Sequence, residues 1–222
     1  MIASKKPLIL VPGMLCDETL WRHSMKDLSE VAEMTVADLT LDESINAMAV
    51  RILESGPPVF ALAGLSMGGY VAQEIMRLAP QRVDRLALLD TSPDADSPEH
   101  KEKRRIYIEQ TQYGDFRGVT QKLLPLLIHP DRMNDKALCD TVIMMTMKVG
   151  KEAFIRQQHA MMGLGGGIRD LERIQCPVLV LCGRQDELTP LEIHDEMARS
   201  IPNATQVVIE NCGHLPPLEK PD

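Results

Sequence analysis

The sequence has few aromatic residues. Phe, Trp and Tyr together make up 3% of its 222 residues, with one tryptophan, against 14 methionines. A core or pocket in this chain is therefore filled mostly by aliphatic and thioether side chains. Positive charge is also short: 24 Lys and Arg face 32 Asp and Glu, for a formal net charge of −8. An acidic chain is repelled by phosphate backbones, so nucleic acid is not an expected partner. The one dense basic run, Lys101-Glu102-Lys103-Arg104-Arg105, reads as a solvated helix start rather than an anion-binding patch. No two of the five cysteines (Cys16, Cys139, Cys176, Cys182, Cys212) stand in C-x-x-C spacing, and their number is odd. That argues against a disulfide frame or a zinc site and for free thiols in a reducing compartment. No apolar run approaches the ~20 residues of a membrane span, and Met1 to Pro7 lacks the apolar stretch of a signal peptide. The expectation is a cytoplasmic protein without membrane partners. At 44% hydrophobic and 25% charged residues, the chain has the size and balance of one globular domain with room for an insertion.

Short runs rich in Val, Ile and Leu punctuate the sequence at Leu8–Val11, Met34–Ala37, Val59–Ala63, Leu86–Leu89, Val178–Cys182 and Gln206–Ile209. Most are continuously apolar, as strands covered on both faces should be. Helical patterns fall between them. Asp17 is placed to cap a helix over Glu18–Leu28, Ser44–Leu53 has helical spacing, Met67–Ala79 ends at Pro80, and Leu191–Ile201 follows the fifth run. Strand alternating with helix implies an α/β fold with a mostly parallel, doubly wound sheet. Residues 92–167 break the rhythm. They contain no convincing strand, open on a Ser-Pro-Asp-rich loop, show helical patterns at Lys101–Gln112, Arg117–Leu127, Asp135–Val149 and Lys151–Met162, and close on Gly163-Leu164-Gly165-Gly166-Gly167. Such a block reads as a helical cap (92–167) inserted into a core formed by 1–91 and 168–222. Its methionines, Met144, Met145, Met147, Met161 and Met162, are expected in the core, a few of them lining an apolar pocket.

The most informative stretch is Ala61-Leu62-Ala63-Gly64-Leu65-Ser66-Met67-Gly68-Gly69-Tyr70. A serine stands just past an apolar strand and just before an amphipathic helix, with glycine two residues before and two after. Glycine at Gly64 and Gly68 removes two Cβ atoms that would crowd a sharp strand-to-helix turn, so that Ser66 can hold a strained conformation with its hydroxyl exposed. A serine hydroxyl is a poor nucleophile without a base. Candidates follow at later strand ends: Gly183-Arg184-Gln185-Asp186-Glu187-Leu188-Thr189-Pro190 after the fifth strand, and Asn211-Cys212-Gly213-His214-Leu215-Pro216-Pro217-Leu218-Glu219 after the sixth. The chain order is Ser66, Asp186, His214.

Taken in order, these three motifs resemble those of the α/β-hydrolase superfamily, in its compact form with a helical cap, and the resemblance covers nearly the whole chain. It implies a Ser66-His214-Asp186 triad acting without a cofactor or metal on a small-molecule substrate with an acyl group. Val11-Pro12-Gly13-Met14-Leu15 resembles the family's His-Gly-X motif, with Pro12 in place of the histidine. By that resemblance the backbone N–H of Met14, with that of Met67, forms the oxyanion hole. Asp90, which ends the fourth strand, is the rival acid, since some members of the family place theirs there. The loop around Asp186 matches the motif, and Asp90 precedes the cap hinge. His194 lies mid-helix and reads as a surface or packing residue, Trp21 and Tyr70 as packing residues, and Cys212 as a small buried one. The family usually has a strand hairpin before Leu8 and a helix behind the histidine loop, neither of which has a counterpart in this sequence. A loosely held histidine loop would be the consequence. The implied reaction is hydrolysis of a small carboxylic ester or lactone. Alternatives on the same fold are a carbon–carbon bond hydrolase or lyase and a non-catalytic small-molecule receptor.

Overall fold

A computed structural model describes residues 5–221. The six apolar runs form six strands: β1 (Lys6–Val11), β2 (Ala32–Val36), β3 (Phe60–Leu65), β4 (Val83–Leu89), β5 (Val178–Gly183) and β6 (Ala204–Ile209). All pair in parallel, in the order β2-β1-β3-β4-β5-β6. Successive side chains along a strand point to opposite faces, and here both faces are covered. Ile9, Val11, Leu62, Leu86 and Leu88 enter one buried apolar cluster, while Leu10, Ala63, Leu65 and Leu89 enter the other. That double burial is why the strands read as continuous apolar runs.

The helices between the strands are α1 (Arg22–Asp27), α2 (Ile45–Ser55), α3 (Met67–Leu78), α4 (Pro98–Tyr113), α5 (Lys136–Val149), α6 (Lys151–Met162), α7 (Ile168–Leu171) and α8 (Leu191–Ser200), and α9 (Pro216–Glu219) follows β6. Side-chain caps start several of them: Ser44 accepts from Ala47 N at 3.1 Å, Ser97 from His100 N at 3.2 Å and Asp135 from Leu138 N at 3.1 Å. Among the described residues no helix is long and apolar enough to cross a membrane.

Three expectations are corrected. The helix expected over Glu18–Leu28 is a 3₁₀ turn at Glu18–Trp21 followed by the six-residue α1. Asp17 caps the 3₁₀ turn by accepting from Thr19 N at 2.8 Å. The helix expected over Arg117–Leu127 shrinks to a 3₁₀ turn at Leu124–Leu126. Pro125 supplies no N–H there, and Val119 donates its own to the Thr146 hydroxyl at 2.9 Å instead of to a helix. The methionines of the helical segment divide. Met145 and Met161 are buried, but Met144 and Met147 are exposed, because the inward face of α5 is set by Leu138, Val142 and Met145.

Part of the segment between β4 and β5 packs against the carboxyl ends of the strands. Val119, Leu124, Ile128, Leu138, Val142 and Met145 share one apolar cluster with Leu10, Leu65 and Leu89 of the sheet. Arg156 of α6 donates to Thr40 O, past β2, at 2.6 Å. Trp21 is buried in the same cluster, as its packing role requires.

Candidate active site

The strand order reverses between β1 and β3, and parallel sheets open a crevice at the carboxyl ends where that happens. Register pairs Val11 with Gly64, so the loop after β1 and the turn after β3 meet at this crevice. Ser66 sits in that turn at φ 54 and ψ −117. For a residue with a Cβ this is a strained conformation, and three hydrogen bonds hold it. Ser66 N donates to Leu89 O at 2.9 Å, Gly69 N donates to Ser66 O at 2.9 Å, and the Thr91 hydroxyl donates to Ser66 O at 2.9 Å. The two elbow glycines are steric necessities. A Cβ on Gly64 would stand 2.3 Å from Gly68 O, and one on Gly68 would stand 2.1 Å from Val11 O and 2.6 Å from Pro12 O. The elbow helix α3 thus presses directly onto the loop that follows β1.

That loop carries Met14. Among the described residues neither Met14 nor Met67 gives its backbone N–H to an acceptor. Met67 opens α3, where a helix leaves its first N–H groups free.

The acid and the imidazole come together at the ends of β5 and β6. His214 Nδ1 lies 2.7 Å from Asp186 Oδ2, and both residues are buried. Asp186 is further bonded by Leu188 N (2.8 Å), Thr189 N (3.2 Å) and the Thr189 hydroxyl (2.6 Å). Burial alone would raise its carboxyl. The His214 imidazole and these donors outweigh it and hold the group below the ordinary carboxylate range. Each triad candidate therefore sits at a strand end of the same sheet edge. The direct contact observed is that between His214 and Asp186.

Asp90 belongs to the same cluster. Its carboxylate, that of Asp186 and the His214 ring present atoms within 4.8 Å of one another. Asp90 Oδ1 accepts from Gly183 N at 2.8 Å, while Oδ2 is buried without a partner. Burial, then the charge of Asp186, push the Asp90 carboxyl well above its ordinary value. The two neighbouring carboxyls are pushed in opposite directions: Asp186 down, toward the ionised form that faces His214, and Asp90 up, toward the protonated form. The group does not suit a metal ion, because His214 Nδ1 and both Asp186 oxygens are already engaged.

Two further residues hold the site together that the sequence did not mark as part of it. Glu219 is fully buried (1% exposed). Its Oε1 accepts from Gly213 N at 3.0 Å and Leu215 N at 3.2 Å, on either side of His214, and its Oε2 accepts from His129 N at 2.6 Å. His214 N itself donates to Leu127 O at 2.9 Å. The histidine loop is therefore fastened rather than loose. A charged residue inside the apolar run Pro216-Pro217-Leu218-Glu219 was the available signal. His194, read as a surface or packing residue, is fully buried and ties the acid loop to the loop after β4, whose Thr91 in turn holds Ser66 O. Its Nδ1 donates to Pro190 O at 3.2 Å and its Nε2 accepts from Thr91 N at 3.1 Å. Burial lowers its pKa, in keeping with a neutral ring that both donates and accepts.

A nucleophile-elbow turn, a buried acid–imidazole pair and a parallel sheet with helices over its carboxyl edge define a hydrolase of the α/β class. Residues 11–221 match the family model described as alpha/beta hydrolase fold, and the chain belongs to that family. It is 24% identical to the pimeloyl-[acyl-carrier protein] methyl ester esterase of Nitrosomonas europaea, over 97% of this chain and 91% of that protein. A thermophilic esterase from Thermogutta terrifontis superposes with a TM-score of 0.86 at 30% identity, covering 97% of this chain and 85% of that one. The enol-lactonase from Burkholderia xenovorans shares the fold, with a TM-score of 0.84 at 18% identity over 97% of this chain and 86% of that one. The likeness of the chain within its family is to ester-acting enzymes.

Proposed function

We propose that the protein is a serine hydrolase that cleaves a small carboxylic ester or lactone through an acyl-enzyme, with Ser66 as nucleophile, His214 as base and Asp186 as its orienting acid. The observation that carries this reading is the buried 2.7 Å pair of His214 and Asp186, set on the same sheet edge as a serine strained at φ 54. His214 takes the Ser66 proton as the hydroxyl attacks the carbonyl carbon, and Asp186 stabilises the imidazolium. The N–H groups of Met14 and Met67 receive the oxyanion. His214 returns the proton to the leaving alcohol, and water then attacks the acyl-enzyme through the same base.

Residues 92–167 are the cap over this site. The names of the relatives, a methyl ester esterase and an esterase, support an ester or lactone over a carbon–carbon bond. Five free thiols and a net charge of −8 support a cytoplasmic enzyme of small molecules rather than of nucleic acid.

Intact-mass labelling with a fluorophosphonate, on the natural sequence and on Ser66→Ala, tests the reading. One adduct on the first and none on the second is expected. No adduct on the folded natural protein would overturn it.

A further inference from the structure

One fully buried polar side chain has no part in the mechanism above. Gln157, in α6, is 0% exposed, and a buried amide is tolerated only when its donors and acceptor are met. Both ends of this one are engaged, and neither by its own helix. Its Oε1 accepts from Leu15 N at 2.9 Å, and its Nε2 donates to Leu39 O at 3.2 Å. The partners fix the orientation of the amide, since a backbone N–H must face the oxygen and a carbonyl the nitrogen. These bonds span 142 and 118 residues of sequence, from the cap to the loops after β1 and β2.

Leu15 directly follows Met14. It sits at φ 58, a left-handed conformation that leucine adopts only when its surroundings impose it. The rest of the loop is tied by Cys16 N to Gly13 O at 3.1 Å and by the Cys16 thiol to Met14 O at 3.5 Å. Gln157 supplies the acceptor for Leu15 N–H. The peptide unit that joins Met14 to Leu15 is therefore held from both sides, by the thiol at its carbonyl and by the cap at its N–H.

We infer that Gln157 is a positioning residue for the oxyanion hole: α6 of the cap sets the backbone that aims the Met14 N–H, so the hole is complete only while the cap is seated. The inference rests on the hydrolase reading above. Gln157 touches no reacting atom and acts through Leu15. Cap position thereby governs transition-state stabilisation as well as access, because displacing α6 frees the loop that receives the oxyanion.

Gln157→Leu keeps much of the volume and removes both bonds. Its kcat should fall by roughly 10- to 100-fold, short of the 10²–10³ that outright loss of an oxyanion donor costs. Its KM should change by less than about threefold, because the lost interaction forms in the transition state. Its affinity for a trifluoromethyl ketone, which mimics the tetrahedral intermediate, should weaken by the same factor as kcat/KM. Gln157→Glu supplies a second test and covers the case in which the leucine variant does not fold. When ionised it offers an oxygen to Leu15 N–H but sets another against Leu39 O. When protonated it restores both bonds. Its kcat/KM relative to wild type should therefore rise as the pH is lowered from about 8 to about 6. A wild-type kcat in Gln157→Leu overturns the inference. So does a pH-independent ratio for Gln157→Glu alongside a lowered melting temperature, the mark of packing alone. If wild type labels at Ser66 and Gln157→Leu is unaffected, this inference falls and the hydrolase reading stands. If wild type does not label, both fall.

Discussion

Glu219→Gln is the substitution that most directly tests how the histidine loop is held. The glutamate carboxylate serves three backbone donors at once, Gly213 N and Leu215 N at Oε1 and His129 N at Oε2. Glutamine has the same shape and a single oxygen. If that oxygen keeps Gly213 and Leu215, the NH₂ group is turned onto His129 N–H, donor against donor. If it turns to His129, two donors beside His214 lose their acceptor. The gentler arrangement leaves one buried N–H unpaired and costs about 1–3 kcal/mol. For a chain of this size, that lowers the melting temperature by roughly 3–10 °C. Glu219→Ala leaves all three donors unpaired and costs about 3 kcal/mol or more, a large share of a typical 5–15 kcal/mol stability. Because two of the donors flank His214, turnover should fall as well, by at least about tenfold for a displaced general base. Thermal unfolding and ester turnover at neutral pH, measured on wild type and both variants, check these figures. A glutamine variant that melts within about 1 °C of wild type and turns over normally would refute the claim that the carboxylate fastens the loop.

Asp90→Asn tests the assignment of a proton to the second carboxyl. Because burial beside Asp186 raises its folded pKa, native Asp90 binds its proton more tightly than the unfolded chain, which releases it above about pH 4, so this contribution to stability is lost as the pH rises through the folded value. The variant keeps an oxygen for Gly183 N–H and does not titrate, so its melting temperature relative to wild type should be higher at about pH 8 than at about pH 5. A constant difference across that range would place the charge on Asp90. Gly68→Ala puts a methyl 2.1 Å from Val11 O, and backbone on both sides leaves it nowhere to move. A loss of about 3 kcal/mol and of Ser66 labelling should appear together, in chemical denaturation and in intact mass.

Much of the fold was legible because burial wrote it into the chain. The central strands were marked by apolar runs, since a parallel sheet covered on both faces admits few polar residues, while the edge strands β2 and β6 are only partly buried and carry polar residues. The elbow was legible because close approach of backbones leaves only glycine, as Gly64 and Gly68 show. Asp186 and His214 stood out as candidates because their loops follow strands, and the fold brings the two side chains together. What escaped was set by contacts distant in sequence. The segment 117–127 has helical composition, but Thr146, far along the chain, takes the N–H of Val119. His194 looked like any mid-helix histidine until Thr91 and Pro190 closed on its two nitrogens. Asp90 could be named as an acid near the site, but the upward push on its carboxyl comes from burial beside Asp186, which no local pattern encodes.

The contacts that escaped share a task. Leu15, Ser66, Asp90 and Asn211 are the described non-glycine residues with positive φ, and they follow β1, β3, β4 and β6. Backbone strain is thus gathered along one sheet edge, where each such residue costs about 1–2 kcal/mol. Local propensity opposes these conformations, so something outside each turn must impose them. The Thr91 hydroxyl does so at Ser66 O, Gln157 at Leu15 N, and Gly183 N secures Asp90. These buttresses carry no chemical signature, because a threonine, a glutamine and a backbone amide are common everywhere. The candidate reactive groups are therefore readable as motifs, while the partners that keep them in place become visible only once the chain has folded.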